Sequence, residues 1–276
     1  TREMIYKTLM GPTSSAKSTL ITELLEALSN KLLGYNVGDT AQTTLLRTCL
    51  MLNSRLKEHE VIIQCIPYAD NEIILLNFLS ILKKVLAEEF YENRDELDEF
   101  EVDETVVNKI LNPVDRSYHA YEFVKQNGLL NNFQNLLNAI SLEIIESPGS
   151  FKEEADKAFK ERRKEQSNIK KIDIYEEIFD LRFNESNEYR NTLKNWFSKL
   201  QEEIYEDLKD VWTFSENRNF IVCDSIKSKA NVHELMEKLY SKNSACSLIF
   251  EEVCYATSPS EKFEYRQVPK GDIICE

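Results

Sequence analysis

Six glycines stand in 276 residues, and their placement limits the fold more than any other feature of the chain. They are Gly11, Gly34, Gly38, Gly128, Gly149 and Gly271, so residues 39–127 and 150–270 contain none. A glycine inside a helix costs about 1 kcal/mol relative to alanine. Long stretches that avoid it, and are rich in Leu, Glu, Lys and Asn, read as helical.

The apolar spacing agrees. From Asn71 to about Arg218, three stripes recur at helical period. Ile73, Ile74, Phe78, Leu79, Leu82, Val85 and Leu86 mark a largely buried helix. Leu129, Phe133, Leu136, Leu137, Ile140 and Ile144 mark an amphipathic one, as do Tyr189, Leu193, Trp196, Phe197, Leu200, Ile204 and Leu208. Residues 88–104 hold ten carboxylates and one arginine, which reads first as a solvated helix end and loop, and second as a surface for a divalent cation or basic partner. In residues 151–171, Glu153/Lys157 and Asp156/Lys160 have the i,i+4 spacing of an exposed helix.

Strand character brackets this region. MIYKTLM at 4–10, EVIIQCI at 60–66 closed by Pro67, NFIVCD at 219–224 and SLIFEEVCY at 247–255 are the candidates. LLRTCLMLNSRL at 45–56 fits strand or helix equally. A helix through Leu20, Leu24, Leu25 and Leu28 follows the first strand, and another runs through Val232, Leu235, Met236 and Leu239. The expected fold class is α/β, a core sheet interrupted by a large inserted α-helical subdomain. The expected boundaries are 1–70 for the first part of the core, 71–218 for the helical insertion and 219–276 for the second part.

Charge narrows the function. Lys plus Arg is 34 and Asp plus Glu is 48, a formal charge of −14. Such a chain repels phosphate backbones, and no aromatic platform is interleaved with the basic Arg162-Arg163-Lys164, so nucleic-acid binding is not expected. No apolar run approaches a bilayer span, and no basic-then-apolar leader opens the chain, so a cytoplasmic protein without a transmembrane segment is expected. The six cysteines, Cys49, Cys65, Cys223, Cys246, Cys254 and Cys275, form no C-x-x-C pair and are read as reduced, mostly buried thiols. His59, His119 and His233 are far apart and are not expected to form a catalytic cluster. The start at Thr1 rather than Met reads as a cut or processed chain, which leaves further motifs open beyond Glu276.

One segment carries chemistry. Gly11-Pro12-Thr13-Ser14-Ser15-Ala16-Lys17-Ser18-Thr19 follows a strand and opens a helix. Small residues let backbone N–H groups close on a phosphate, and a helix N-terminus faces the anion with its positive end. The stretch resembles the phosphate-binding loop of P-loop nucleoside triphosphatases, G-x-x-x-x-G-K-[ST], with Ala16 in place of the second glycine. If that position needs a backbone conformation hostile to L-residues, Ala16 costs about 1 kcal/mol; if it needs only small volume, alanine is equivalent. An ordinary strand–turn–helix with a Ser/Thr cap and a surface Lys17 is the structural alternative.

The resemblance implies that Gly11, Thr13, Ser14, Ser15, Ala16, Lys17, Ser18 and Thr19 bind the nucleotide, with Lys17 on the outer phosphates and Ser18 on Mg²⁺. Gly38-Asp39-Thr40-Ala41-Gln42-Thr43-Thr44 reads as a plain polar loop or, by its resemblance to the first switch loop of GTPases, implies a threonine at Mg²⁺ and the γ-phosphate, with Thr43 and Thr44 as the candidates. Two strand-end sites compete for the carboxylate that holds Mg²⁺, Asp224 and Glu251-Glu252; Asp224-Ser225-Ile226-Lys227 resembles D-x-x-G with Lys227 replacing the glycine, and Asp224 is preferred. Glu251-Glu252 after Ser247–Phe250 resembles the hhhh-D-E pattern, in which the second acid, Glu252, polarises water. With its helical insertion the chain is similar, in outline, to dynamin-like and septin-like GTPases. The implied activity is Mg²⁺-dependent binding and hydrolysis of GTP or ATP, coupled to movement of the helical subdomain and to a protein partner. No N-K-x-D base-specificity motif is present. A non-hydrolysing nucleotide switch and a helical interaction scaffold remain as alternatives.

Overall fold

The computed structural model describes residues 5–7, 46–52, 61–114, 118–146, 149–209, 238–239, 245–257 and 273–275. The chain divides into two compact units, residues 1–69 with 203–276, and residues 70–202.

The second unit is helical. Its helices are α1 (Asn71–Glu92), α2 (Glu104–Leu111), α3 (Tyr121–Gln126), α4 (Leu130–Glu146), α5 (Phe151–Arg162), α6 (Lys171–Glu185) and α7 (Asn187–Lys209), whose last turns from Glu203 belong to the first unit. Local capping fixes several starts. Asp70 Oδ1 accepts from the Glu72 N–H at 2.8 Å, Asp103 Oδ1 from the Val106 N–H at 2.9 Å, and Ser150 Oγ from the Glu153 N–H at 3.4 Å. Gly128 ends α3 with φ +69°, and Gly149 turns the chain between α4 and α5 with φ +98°, a region L side chains rarely adopt.

Helix α1 is the spine of this unit. Ile74, Leu75, Phe78, Leu79, Leu82, Leu86 and Phe90 are all buried along it. The ring of Phe78 lies 5.0–6.2 Å from those of Tyr118, Phe133, Trp196 and Phe197. Three turns on, Phe90 meets Phe100, Phe151 and Phe179 edge-on at 5.0–5.3 Å. Most of the stripe residues expected on α1, α4 and α7 enter this core, but Val85, Leu136 and Tyr189 are half-buried, Ile73 faces outward at 62% exposed, and Phe90 lies outside the expected stripe.

The acidic block at 88–104 is divided among structural tasks. Glu89 is buried and takes Lys109 at 2.5 Å, and Asp95 pairs with Lys152 at 2.8 Å. Asp103 caps α2, while Glu104 takes the Tyr121 hydroxyl and Lys125. The Glu104 carboxyl is held below its ordinary value by the Lys125 and Tyr121 hydrogen bonds.

The first unit holds β1 (Ile5–Lys7), β2 (Arg47–Leu52), β3 (Val61–Pro67), β4 (Phe250–Thr257) and β5 (Ile273–Cys275), in the order β1-β5-β2-β4-β3. β1–β5 and β2–β4 are parallel; β2–β5 and β3–β4 are antiparallel. Ile63, Cys65 and Val253 are fully buried on one face.

This corrects the expected fold class. The described residues are mostly helical, and their longest strand pairing, β3–β4, is antiparallel, so the structure is not a P-loop-type core sheet interrupted by a helical subdomain. The physical reason lies in the connections. Only residues 53–60 separate β2 from β3, and a return to a parallel strand takes a crossover of a dozen residues or more. β2 and β3 therefore flank β4 with opposite directions. Among the described residues β1 stands at the edge of the sheet, with β5 as its neighbour. Two element readings also change. The stretch 45–56, open between strand and helix, forms strand at Arg47–Leu52. Residues 245–248 form a 3-10 turn, so the strand expected at 247–255 begins at Phe250.

Candidate functional site

Gly11, Thr13, Ser14, Ser15, Ala16, Lys17, Ser18, Thr19, Thr43, Thr44 and Asp224 lie outside the described residues. β1 ends at Lys7, four positions before Gly11, and β2 begins at Arg47, three positions after Thr44, so each stretch is bordered by a strand of the sheet. Glu252 is described. It stands at the third position of β4, near the strand's start rather than at its end as the hhhh-D-E resemblance implied.

Glu252 belongs to a cluster that the resemblance did not foresee. In a strand, residues two apart face the same side, so Glu252 and Cys254 share one face of β4. The parallel register sets Cys49 of β2 directly opposite Cys254. The two sulfurs and a carboxylate oxygen lie within 4.8 Å of one another. Cys254 Sγ donates to Glu252 Oε1 at 3.1 Å. Cys49 is buried, and the other two are half-buried.

The electrostatics follow from this packing. The Cys254 thiol is pushed far above the usual thiol range, chiefly by its hydrogen bond with Cys49, then by burial and by the hydrogen bond with Glu252. It is therefore a protonated thiol at neutral pH. On the opposite face of β4, Cys65 pairs with Val253, and burial raises its thiol well above the ordinary value, with Cys246 adding to the shift. The Cys65 side chain is inert packing; the Cys49–Cys254 pair, with an oxygen donor beside it, is a different environment.

Nearby, the Tyr68 hydroxyl donates to the Ser247 carbonyl at 3.0 Å. Burial and the charge of Glu251 raise its pKa. This contact ties the end of β3 to the 3-10 turn ahead of β4.

Two soft sulfur donors and one carboxylate on adjacent strands form the ligand chemistry of a thiophilic cation site. No sequence rule finds it, because Cys49 and Cys254 meet only through strand register. The local signal is the Glu252-Val253-Cys254 alternation, which places both donors on one face only once residue 252 is known to be in a strand. Among the described residues, no other group of three such donors comes together in this way.

No known protein family, no curated protein and no solved structure matches the chain. No helix among the described residues is long and apolar enough to cross a membrane.

Proposed function

We propose that the chain binds a magnesium nucleoside triphosphate, GTP or ATP, through the main chain and side chains of residues 11–19. The observation that carries this reading is the sequence Gly11–Thr19 itself, entered from a strand of the sheet, β1. Small residues from Thr13 to Ala16 leave room for backbone N–H groups to converge on phosphate oxygens. The Lys17 ammonium offsets charge on the outer phosphates. Ser18 and Thr43 are the hydroxyls suited to hold Mg²⁺, with Asp224 as the carboxylate behind it. Bound there, Mg²⁺ neutralises charge on the β- and γ-phosphates. Thr44 orients the γ-phosphate, and hydrolysis is in-line attack by water. Glu252 is left out of this reading, since its carboxylate takes the Cys254 thiol.

The test is thermal unfolding with Mg²⁺-GTP and with Mg²⁺-ATP, in the native sequence and in Lys17→Ala. A ligand at 100 times its Kd stabilises by about 2.7 kcal/mol. A shift with one nucleotide, lost in Lys17→Ala, is the expected result. No shift with either, or a shift that survives Lys17→Ala, overturns the reading. Phosphate release by the same pair of proteins then separates hydrolysis from a nucleotide-dependent switch.

A second reading, a helical scaffold that docks a protein partner, is favoured by the mostly helical content of the described residues. It gains where neither nucleotide changes the unfolding.

A further inference from the structure

We propose that Cys49, Glu252 and Cys254 form a binding site for a thiophilic divalent cation, zinc, built on the paired strands β2 and β4. The site does not depend on the nucleotide reading and uses none of residues 11–19.

The geometry is close to what zinc requires. At Zn–S of about 2.3 Å and tetrahedral angles, two sulfur ligands stand about 3.8 Å apart, and sulfur and oxygen ligands about 3.5 Å apart. The three donor atoms already lie within 4.8 Å, with Cys254 Sγ and Glu252 Oε1 at 3.1 Å. Rotamer adjustments of a few tenths of an ångström to about 1 Å bring them to ligand spacing without moving the strands. The backbone is held in place by the register, which pairs Cys49 with Cys254 and Arg47 with Glu252.

The donor set selects the metal. Magnesium and calcium prefer all-oxygen shells, whereas two thiolates favour zinc and its softer neighbours. The charge also fits: two thiolates and one carboxylate carry three negative charges against the cation's two. Three protein ligands leave one tetrahedral position for water or a small ligand, the arrangement of an open zinc site. Burial of Cys49 separates this cluster from a chance surface group of acids.

The binding step balances without a redox partner. Two S–H bonds ionise, two S–metal bonds and one O–metal bond form, and two protons pass to the buffer for each metal bound. The hydrogen bond from the Cys254 thiol to the Glu252 carboxylate is replaced by a shared cation. Because both thiols must lose their protons, affinity rises with pH.

The experiment loads the full chain, kept reduced, with zinc alone. Metal content after removal of excess is read by mass spectrometry, and affinity by competition with a chromophoric chelator. One equivalent of zinc and release of two protons are expected. Cys49→Ser and Cys254→Ser should each weaken binding at least tenfold, Glu252→Gln less, and Cys65→Ser and Cys246→Ser should leave it unchanged. Cobalt(II) added to the unmodified chain should give thiolate-to-metal charge-transfer absorption, which keeps the test valid if a serine variant misfolds. Substoichiometric zinc, absence of those thiolate bands, or binding in the Cys49→Ser and Cys254→Ser variants as tight as in the unmodified chain overturns the proposal. An intact mass two hydrogens lower, lost in Cys49→Ser, would also overturn it, as it would show a disulfide in place of a metal site.

Discussion

The Arg182 guanidinium donates from Nη1 to the Ile144 carbonyl at 2.6 Å and from Nη2 to the Gly149 carbonyl at 3.2 Å. Nε and Nη2 both reach Glu154 Oε2, at 3.0 and 2.6 Å, and the group lies over the Phe151 ring, 5.3 Å from its centroid. One side chain of α6 thus closes the corner where α4 ends, Gly149 turns and α5 begins. Carbonyls at a helix end lack intrahelical donors, so a cation placed there satisfies both a hydrogen-bond deficit and the dipole. The two partners differ in environment: the Arg182 side chain is 6% exposed and Glu154 is 50% exposed. The ion pair itself is therefore screened and worth little, and the carbonyl contacts dominate. Arg182→Met is expected to destabilise by about 2–4 kcal/mol, since it leaves the buried Ile144 carbonyl and the part-buried Gly149 carbonyl without their donors. Glu154→Gln should cost less than about 1 kcal/mol. Urea unfolding of both variants checks this, and equal losses would put the weight on the ion pair. Nothing in the sequence distinguishes Arg182 from a surface arginine. Its neighbours in Asp180-Leu181-Arg182-Phe183 give no cue, because the carbonyls it serves belong to residues more than thirty positions away.

Among elements, legibility follows length. α1, α4 and α7 each carry four turns or more, enough for an apolar stripe to declare itself, and most of each stripe is buried, although the spacing misses Leu75 and Phe90 on α1 and Ile145 on α4. α3 has six residues and β5 three, too short for any period to be read. The zinc cluster was illegible for another reason, since it depends on which strands become neighbours. The fold class failed at the same level: strand segments at 5–7 and 61–67 were recognisable, but their directions were not. The acidic block shows how composition hides local roles. Asp103 accepts the Val106 N–H and starts α2, while Asp98, in the 3-10 turn at Leu97–Glu99, is exposed. Asp103→Ala should lose about 1 kcal/mol, with Asp103→Asn nearly neutral because asparagine caps as well. Asp98→Ala should fall within about 0.5 kcal/mol of the native sequence. Urea midpoints of the three variants decide between a block read by position and one read as a uniform charged surface; equal effects at 98 and 103 would favour the latter.

At the scale of the molecule, the division into two units has a thermodynamic consequence. The helical unit, residues 70–202, draws its core from its own helices: Phe78 and Phe90 on α1 gather rings from α4 to α7 and from the segments at Phe100 and Tyr118. Phe133 and Trp196 stack at 4.0 Å within it. A segment with its own aromatic core, capped helices and domain-like size meets the conditions for independent folding. Expressed alone, residues 70–202 should give a helical circular dichroism spectrum and one cooperative thermal transition. Phe78→Ala removes the ring at the centre of the first cluster and should cost about 3–5 kcal/mol, a drop of roughly 10 °C or more for a unit of this size. Non-cooperative melting of the fragment, or a Phe78→Ala transition at the native temperature, would count against a self-contained core. The fragment also isolates the ligand readings. Residues 11–19, Cys49, Glu252 and Cys254 all lie outside it, so neither Mg²⁺-nucleotide nor zinc should move its transition. If either ligand shifts the fragment as it shifts the full chain, the binding belongs to the helices and not to the residues assigned above.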